Sequence, residues 1–254
     1  MHRRGRTASP ILGGGKFALV AKPGLAYGSG MTPAYVFDLD GTLVDTAPDL
    51  CFSLNVILRR EGRREMDLAE MPLLIGNGVK KLIERAFVRG GIDLAPQRLD
   101  ALYADFVGIY AVYIADRSRP FAGVVETLET LTAQGARLAV LTNKPHDSAV
   151  RLLDALDLAR FFPVVFGGGR REYLKPDARL FEEVVRELGG GPAVMVGDSR
   201  PDVETARNAG APVVLVSFGY SVEPIGTLGA DIVVDRFADV PAAVERLLKG
   251  FGNS

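Results

Sequence analysis

The stretch AYVFDLDGTLVDT, residues 34–46, carries an apolar run, Ala34–Phe37, that ends in two aspartates, Asp38 and Asp40, followed at once by Gly41. The run is continuous rather than alternating, the pattern of a strand covered on both faces. Two carboxylates at the mouth of such a strand are costly. Like charges repel, and each loses hydration on leaving water. A fold that keeps them there must supply compensating charge, and the candidates lie far along the chain.

Similar runs recur at Arg137–Leu141, Pro163–Phe166, Ala193–Val196 and Pro212–Val216, with Ile232–Val234 shorter. Helical periodicity fills the gaps at Gly123–Ala133, Asp147–Leu158, Asp177–Leu188 and Arg200–Ala209, and glycines at 189–191 and 210 stop the last two. This alternation predicts an α/β fold, a doubly wound parallel sheet with right-handed crossovers. Residues 47–119 break it. They hold no strand-like run but three helical ones, Asp49–Arg60, Val79–Arg89 and Gln97–Tyr113. The expected organisation is an α/β core from 31–46 and 120–254, with a helical cap domain, 47–119, inserted after the first strand. Such an insertion sits over the carboxyl ends of the strands, where open α/β sheets bind ligands.

The 254 residues are 48% hydrophobic and carry a net charge of −1, which gives a nucleic-acid partner no electrostatic support. One cysteine, Cys51, excludes an internal disulfide or a cysteine-based metal cluster and suits a reducing, cytoplasmic setting. No apolar run reaches about 18 residues, so no membrane span is expected. Residues 1–30 stand apart, with five Lys/Arg and no acid; the remainder has 25 basic and 31 acidic residues, a net charge of −6. A disordered basic extension, or sequence upstream of a start at Met31, is expected there, with a transit peptide as the alternative. Gly13-Gly14-Gly15-Lys16 lacks the spacing and the preceding strand of a phosphate loop.

Three strand ends are polar: Asp38 with Asp40, Thr142-Asn143-Lys144, and Gly197-Asp198-Ser199 with Asp202 after it. Lys175 precedes Pro176 just before a helix. A parallel sheet brings all its strand C-termini to one rim, so these groups converge despite their separation. Singly, each has a plainer reading: Asp38 or Asp198 as a helix cap, Asp202 as a first-turn acid, Lys175 as a surface lysine. Together they form an oxygen-rich, thiolate-free set that suits a hard dication, Mg²⁺. Metal and lysine would neutralise a phosphate, Thr142 and Asn143 would donate hydrogen bonds to it, and Gly41 lets backbone approach it. One of the paired carboxylates can then attack while the other handles the leaving-group proton.

Asp38-Leu39-Asp40-Gly41-Thr42, Thr142-Asn143, Lys175-Pro176 and Gly197-Asp198-Ser199 with Asp202 resemble, in order, the four motifs of the haloacid dehalogenase superfamily. The resemblance implies Asp38 as nucleophile, forming an aspartyl-phosphate, and Asp40 as general acid and then base. It implies Thr142, Asn143 and Lys175 as phosphate-binding, Mg²⁺ held by Asp38, the Asp40 carbonyl and Asp198, and Asp202 as a nearby supporting acid. Val44–Leu50, Gly76-Asn77-Gly78, Thr142–Pro145 and Gly197–Asp202 resemble the phosphoglycolate phosphatase subfamily, which implies a small phosphorylated metabolite as partner, no nucleic acid or membrane, and a monomer or homodimer. Gly76, Asn77, Gly78 and Arg85 become candidate cap contacts to substrate, against the plainer readings of a tight turn and a solvated arginine. Asp45 and Thr46 are expected at the hinge into the cap. Residues 166–174, FGGGRREYL, depart from the subfamily's usual approach to the lysine and leave open other sugar or amino-sugar phosphates, pyrophosphate, or a phosphoglucomutase-like phosphotransfer. Asp40 speaks against a dehalogenase or a phosphonatase, and the intact set against a merely phosphate-binding protein. His146, at a helix start, is given no catalytic role.

Overall fold

The computed structural model describes residues 32–251, so the expectations for residues 1–30, Gly13–Lys16 included, lie outside the described residues. The chain runs β1 (Ala34–Phe37), β2 (Val44–Asp45), α1 (Ala47–Arg60), α2 (Val79–Arg89), α3 (Pro96–Val112), β3 (Arg119–Pro120), α4 (Val124–Ala133), β4 (Arg137–Pro145), α5 (His146–Ala155), β5 (Val164–Gly168), α6 (Ala178–Glu187), β6 (Ala193–Gly197), α7 (Arg200–Ala209), β7 (Val213–Val216), β8 (Ile232–Val234) and α8 (Val240–Phe251).

Six strands form one parallel sheet in the order β5-β4-β1-β6-β7-β8. The first strand lies inside it, with Phe37 level with Val140 on one side and Val196 on the other. That register brings the ends of β1, β4 and β6, and so Asp38, Thr142 and Asp198, to the middle of one rim. Side chains alternate across the sheet, and both faces are covered. Tyr35, Phe37, Leu138, Val140, Val194 and Val196 pack with α4, α5 and α8, whereas Ala34, Val36, Ala139, Leu141 and Met195 pack with α6 and α7. This double burial is why the strands read as unbroken apolar runs.

The helices α1 to α3 form the insertion after the first strand, and their buried faces (Leu54, Leu82, Phe106) continue the first of these clusters. A two-residue antiparallel ribbon, β2 with β3, joins the outgoing and returning chain. Nothing in the periodicity marks so short a pair, and the sequence reading does not contain it. Asp49, 1% exposed, ties the same two connections: its carboxylate accepts from Arg117 N, Ser118 N and Ser118 Oγ at 2.6–3.1 Å. Strand β4 runs on to Pro145, four residues past the expected end, and α5 stops at Ala155, three before it. The expected elements also lack α8, although Val240, Ala243 and Val244 carry its buried stripe.

Phe37 is fully buried in the central strand, within 6.1 Å of the rings of Phe162, Phe237 and Tyr35. Phe37→Ala is therefore expected to destabilise the fold by about 3–5 kcal/mol in urea unfolding. Val233→Ala on the exposed edge strand β8 should stay within about 0.5 kcal/mol of the parent. Equal, small effects would contradict this placement of the core.

Candidate active site

Each motif is positioned by a strand end or by the loop after it. Past Phe37 the chain turns tightly, with Leu39 O accepting from Leu43 N and Val44 N at 3.0 Å. Gly41 sits in this turn at φ +86°, and a Cβ there would come within 2.7 Å of the Asp198 carboxylate, so only glycine fits. Asp38 accepts from Leu39 N at 2.7 Å, which fixes its carboxylate at the rim.

Asp38 Oδ1 lies 3.0 Å from Lys175 Nζ, and the same ammonium lies 2.6 Å from Asp202 Oδ1. Asp40 has a separate cation: its Oδ1 accepts from Lys144 Nζ at 2.9 Å, and that ammonium also donates to Tyr110 Oη at 2.8 Å. Both lysine side chains are 2% exposed. Burial pulls both ammoniums down, but their carboxylate partners, helped at Lys144 by Tyr110, outweigh it and hold both above the ordinary lysine value. Burial pushes the Tyr110 phenol up to about 12.

Asp202 is buried and saturated. Its Oδ2 accepts from Asp198 N, Ser199 N and Ser199 Oγ at 3.0–3.1 Å, while Ser199 caps α7. Its carboxylate packs against Gly197, where a Cβ would collide with it. Asp202 thus holds Lys175 with one oxygen and the start of α7 with the other. Asp198 accepts from Thr42 Oγ1 at 2.9 Å and from Tyr220 N at 2.8 Å. Burial, then Asp202 and Asp38, push the Asp198 carboxyl well above the usual carboxylate range. Burial likewise pushes Asp38 up to about 6 against the pull of Lys175.

Oxygens of Asp38, Asp198 and Asp202 lie within 4.8 Å of one another. These three carboxylates offer oxygen alone, the donor chemistry of a hard dication, and a cation among them would offset the burial and, after it, the mutual repulsion that raise Asp38 and Asp198. Asp202 is already occupied by Lys175 and by three donors, so Asp38 and Asp198 are the carboxylates left to hold such an ion.

Asp38, Asp40, Thr142, Asn143, Lys144, Lys175 and Asp198 line one cavity of about 70 Å³ with Gly76, Asn77 and Gly78 of the helical insertion. Gly78 approaches the core so closely that a Cβ on it would lie 3.3 Å from Asn143 O. Thr142 Oγ1 accepts from Lys144 N at 3.2 Å, which leaves its own proton free to donate into the cavity. The Asn143 amide accepts from Lys175 N at 2.8 Å and donates to Lys175 O at 3.1 Å, so it positions the lysine and keeps one amide N–H unused. One expected contact is corrected. Arg85 does not line the cavity. Its guanidinium donates to the carbonyls of Leu74, Ile75 and Gly76 and to Asn77 Oδ1, and so holds the 76–78 loop from behind.

Tyr220, Tyr110 and the role of Lys144 are absent from the sequence reading. Tyr220 Oη donates to Asp45 at 2.6 Å and accepts from Thr46 N and Ala47 N at 2.7 and 2.9 Å, so it links the Asp198 loop to the start of the insertion. Lys144 lies in the last residues of β4 and Tyr220 follows β7 at the same rim, a signal available from sequence. Tyr110 lies within a helix and carries no such mark. Among the described residues no helix is long and apolar enough to cross a membrane.

Residues 32–210 match the family of haloacid dehalogenase-like hydrolases. The chain is 48% identical over 214 residues to the phosphoglycolate phosphatase of Caulobacter vibrioides, covering 84% of this chain and 90% of that one. It is 40% identical over 221 residues to the phosphoglycolate phosphatase of Agrobacterium fabrum, covering 86% and 95%. The crystal structure of a predicted phosphoglycolate phosphatase from Haemophilus somnus superposes with a TM-score of 0.78 at 31% identity, covering 85% of this chain and 99% of that one. With the strand order, the converging motifs and these matches in agreement, the chain belongs to the haloacid dehalogenase-like hydrolases.

Proposed function

We propose that this protein is a Mg²⁺-dependent phosphatase that hydrolyses a small phosphorylated metabolite, 2-phosphoglycolate first among them, through an aspartyl-phosphate on Asp38. One observation carries the reading: Asp38 and Asp40 open on the same small cavity, yet each is paired with a different buried lysine. Two carboxylates in different surroundings are suited to two tasks. The similarity to proteins named phosphoglycolate phosphatases supports the substrate.

In this mechanism the phosphoryl oxygens rest against Lys175 and Thr142. An Asp38 carboxylate oxygen attacks phosphorus, the bond to the ester oxygen breaks, and Asp40 gives that oxygen its proton. Asp40 then takes a proton from water as the water oxygen attacks the phosphorus of the aspartyl-phosphate, which releases phosphate and restores the Asp38 carboxylate. The carboxylates of Asp38 and Asp198 with the Asp40 carbonyl would hold Mg²⁺, which when bound supplies Lewis-acid neutralisation of the phosphoryl charge. Asn143 and Asp202 keep Lys175 in place throughout. Residues 47–119 act as a cap domain on a core of 31–46 and 120–254, hinged near Asp45 and Thr46. Their 76–78 loop closes the cavity and excludes water. The free, buried Cys51 accords with a cytoplasmic setting.

Asp38→Asn is expected to lower kcat on p-nitrophenyl phosphate by at least about a thousandfold. In a panel of phosphorylated metabolites, the parent should show its highest kcat/KM on 2-phosphoglycolate. A value no higher than for sugar phosphates would overturn the narrow assignment, and full activity of Asp38→Asn would overturn the mechanism. Mg²⁺ at about a hundred times its Kd should stabilise the protein by about 2.7 kcal/mol, a rise of roughly 5–10 °C in Tm. Asp198→Asn should abolish that rise, and an unchanged Tm in the parent would contradict the metal site.

A further inference from the structure

The mechanism leaves one buried cation without a task. Two ammonium groups line the cavity, those of Lys175 and Lys144. Lys175 is engaged by Asp38 and Asp202. Lys144 donates to Asp40 Oδ1 at 2.9 Å and to Tyr110 Oη at 2.8 Å, and it lies 4.4 Å from the centre of the Tyr110 ring. An ammonium carries three N–H donors, so one remains for a ligand.

Its place relative to the reacting atoms is fixed by Asp40. The ester oxygen of the substrate must come within hydrogen-bond reach of the Asp40 carboxyl, and Lys144 is within the same reach of that carboxyl. The ammonium therefore lies within about 6 Å of the ester oxygen when both meet the same Asp40 oxygen, and within about 8 Å when they meet different ones. A two-carbon chain that ends in an oxyanion, plus one hydrogen bond, spans the shorter gap. Arg85, the other cation that the sequence offers for an anionic group, is turned onto the carbonyls of its own loop.

We propose that Lys144 is the specificity-determining cation, which pairs with a second anionic group on the substrate, a carboxylate one carbon beyond the ester carbon, and that Tyr110 on α3 holds it there. The inference rests on the phosphatase reading above and deepens it. It explains why a lysine is kept 2% exposed beside Asp40 when the phosphoryl group already has Lys175. It also assigns selectivity to charge. A carboxylate gains a charged hydrogen bond that a neutral hydroxyl tail does not, a difference on the order of 10–100-fold. Because Tyr110 belongs to the helical insertion and Lys144 to the core, the recognising ammonium is complete only when the two are in contact.

The test compares kcat/KM for 2-phosphoglycolate with that for 2-hydroxyethyl phosphate, which has the same carbon chain with a neutral end. The parent should favour the carboxylate ester, by on the order of 10–100-fold. Lys144→Met should bring the ratio close to one, Lys144→Arg should keep most of it, and Tyr110→Phe should lower it several-fold. If Lys144→Met is not recovered folded, Lys144→Gln and Tyr110→Phe give the same comparison. Equal losses on both esters would overturn the inference, since Lys144 would then serve only Asp40. A parent ratio near one on every anion-tailed ester would overturn it as well. A parent that instead prefers a bisphosphate, with the preference lost in Lys144→Met, would overturn the inference, since the group paired with Lys144 would then be a phosphate and not a carboxylate.

Discussion

Two carboxylates stay at a buried strand end here because each faces its own ammonium. Asp38 has Lys175 and Asp40 has Lys144, at 3.0 and 2.9 Å. Removing one partner of a buried pair typically costs about 3–5 kcal/mol, far more than the pair contributes over an apolar substitute. The surrounding structure is organised around keeping these pairs intact. Asn143 grips the Lys175 backbone from both sides, and Asp202 gives that ammonium a second carboxylate. The turn at Gly41 and the bare Gly197 leave no room for side chains that would push the carboxylates apart.

The same contacts join the sheet to the inserted helices. Tyr220 binds Asp198 through its amide and the first connection through its hydroxyl. Asp49 binds the returning connection, and Tyr110 reaches from α3 to Lys144. A rearrangement of the insertion would therefore be felt at the Lys144–Asp40 pair through Tyr110 and at Asp198 through Tyr220. Local changes at Asp45–Ala47 have a short route to the candidate site through Tyr220.

Much of this was legible in the sequence. Unbroken apolar runs are what double burial requires, so the six strands of the sheet were readable, with ends misplaced by a few residues. The rim rule gathered Asp38, Asp40, Thr142, Lys175 and Asp198 in advance, because it depends on topology alone. What escaped depends on side-chain direction. Arg85 and Asn143 have chemistry that suits a ligand, but both are bound to backbone groups that no spacing reveals. Tyr110 was hidden for the converse reason: a tyrosine on a helix gives no sign that its hydroxyl meets a lysine 34 positions later. The β2–β3 ribbon is too short to impose a period. Lys144 was in view at the strand end, and only its pairing with Asp40 gives it a role.

The central claim is that Asp38 is the group that takes the phosphoryl from the substrate. Rapid acid quench of the Mg²⁺-loaded protein after mixing with 2-phosphoglycolate, followed by peptide mass spectrometry, tests it directly. The account predicts one added phosphoryl group on the peptide carrying Asp38, appearing before steady turnover and absent from Asp38→Asn. Turnover with no phosphoryl on that peptide at any quench time would contradict it.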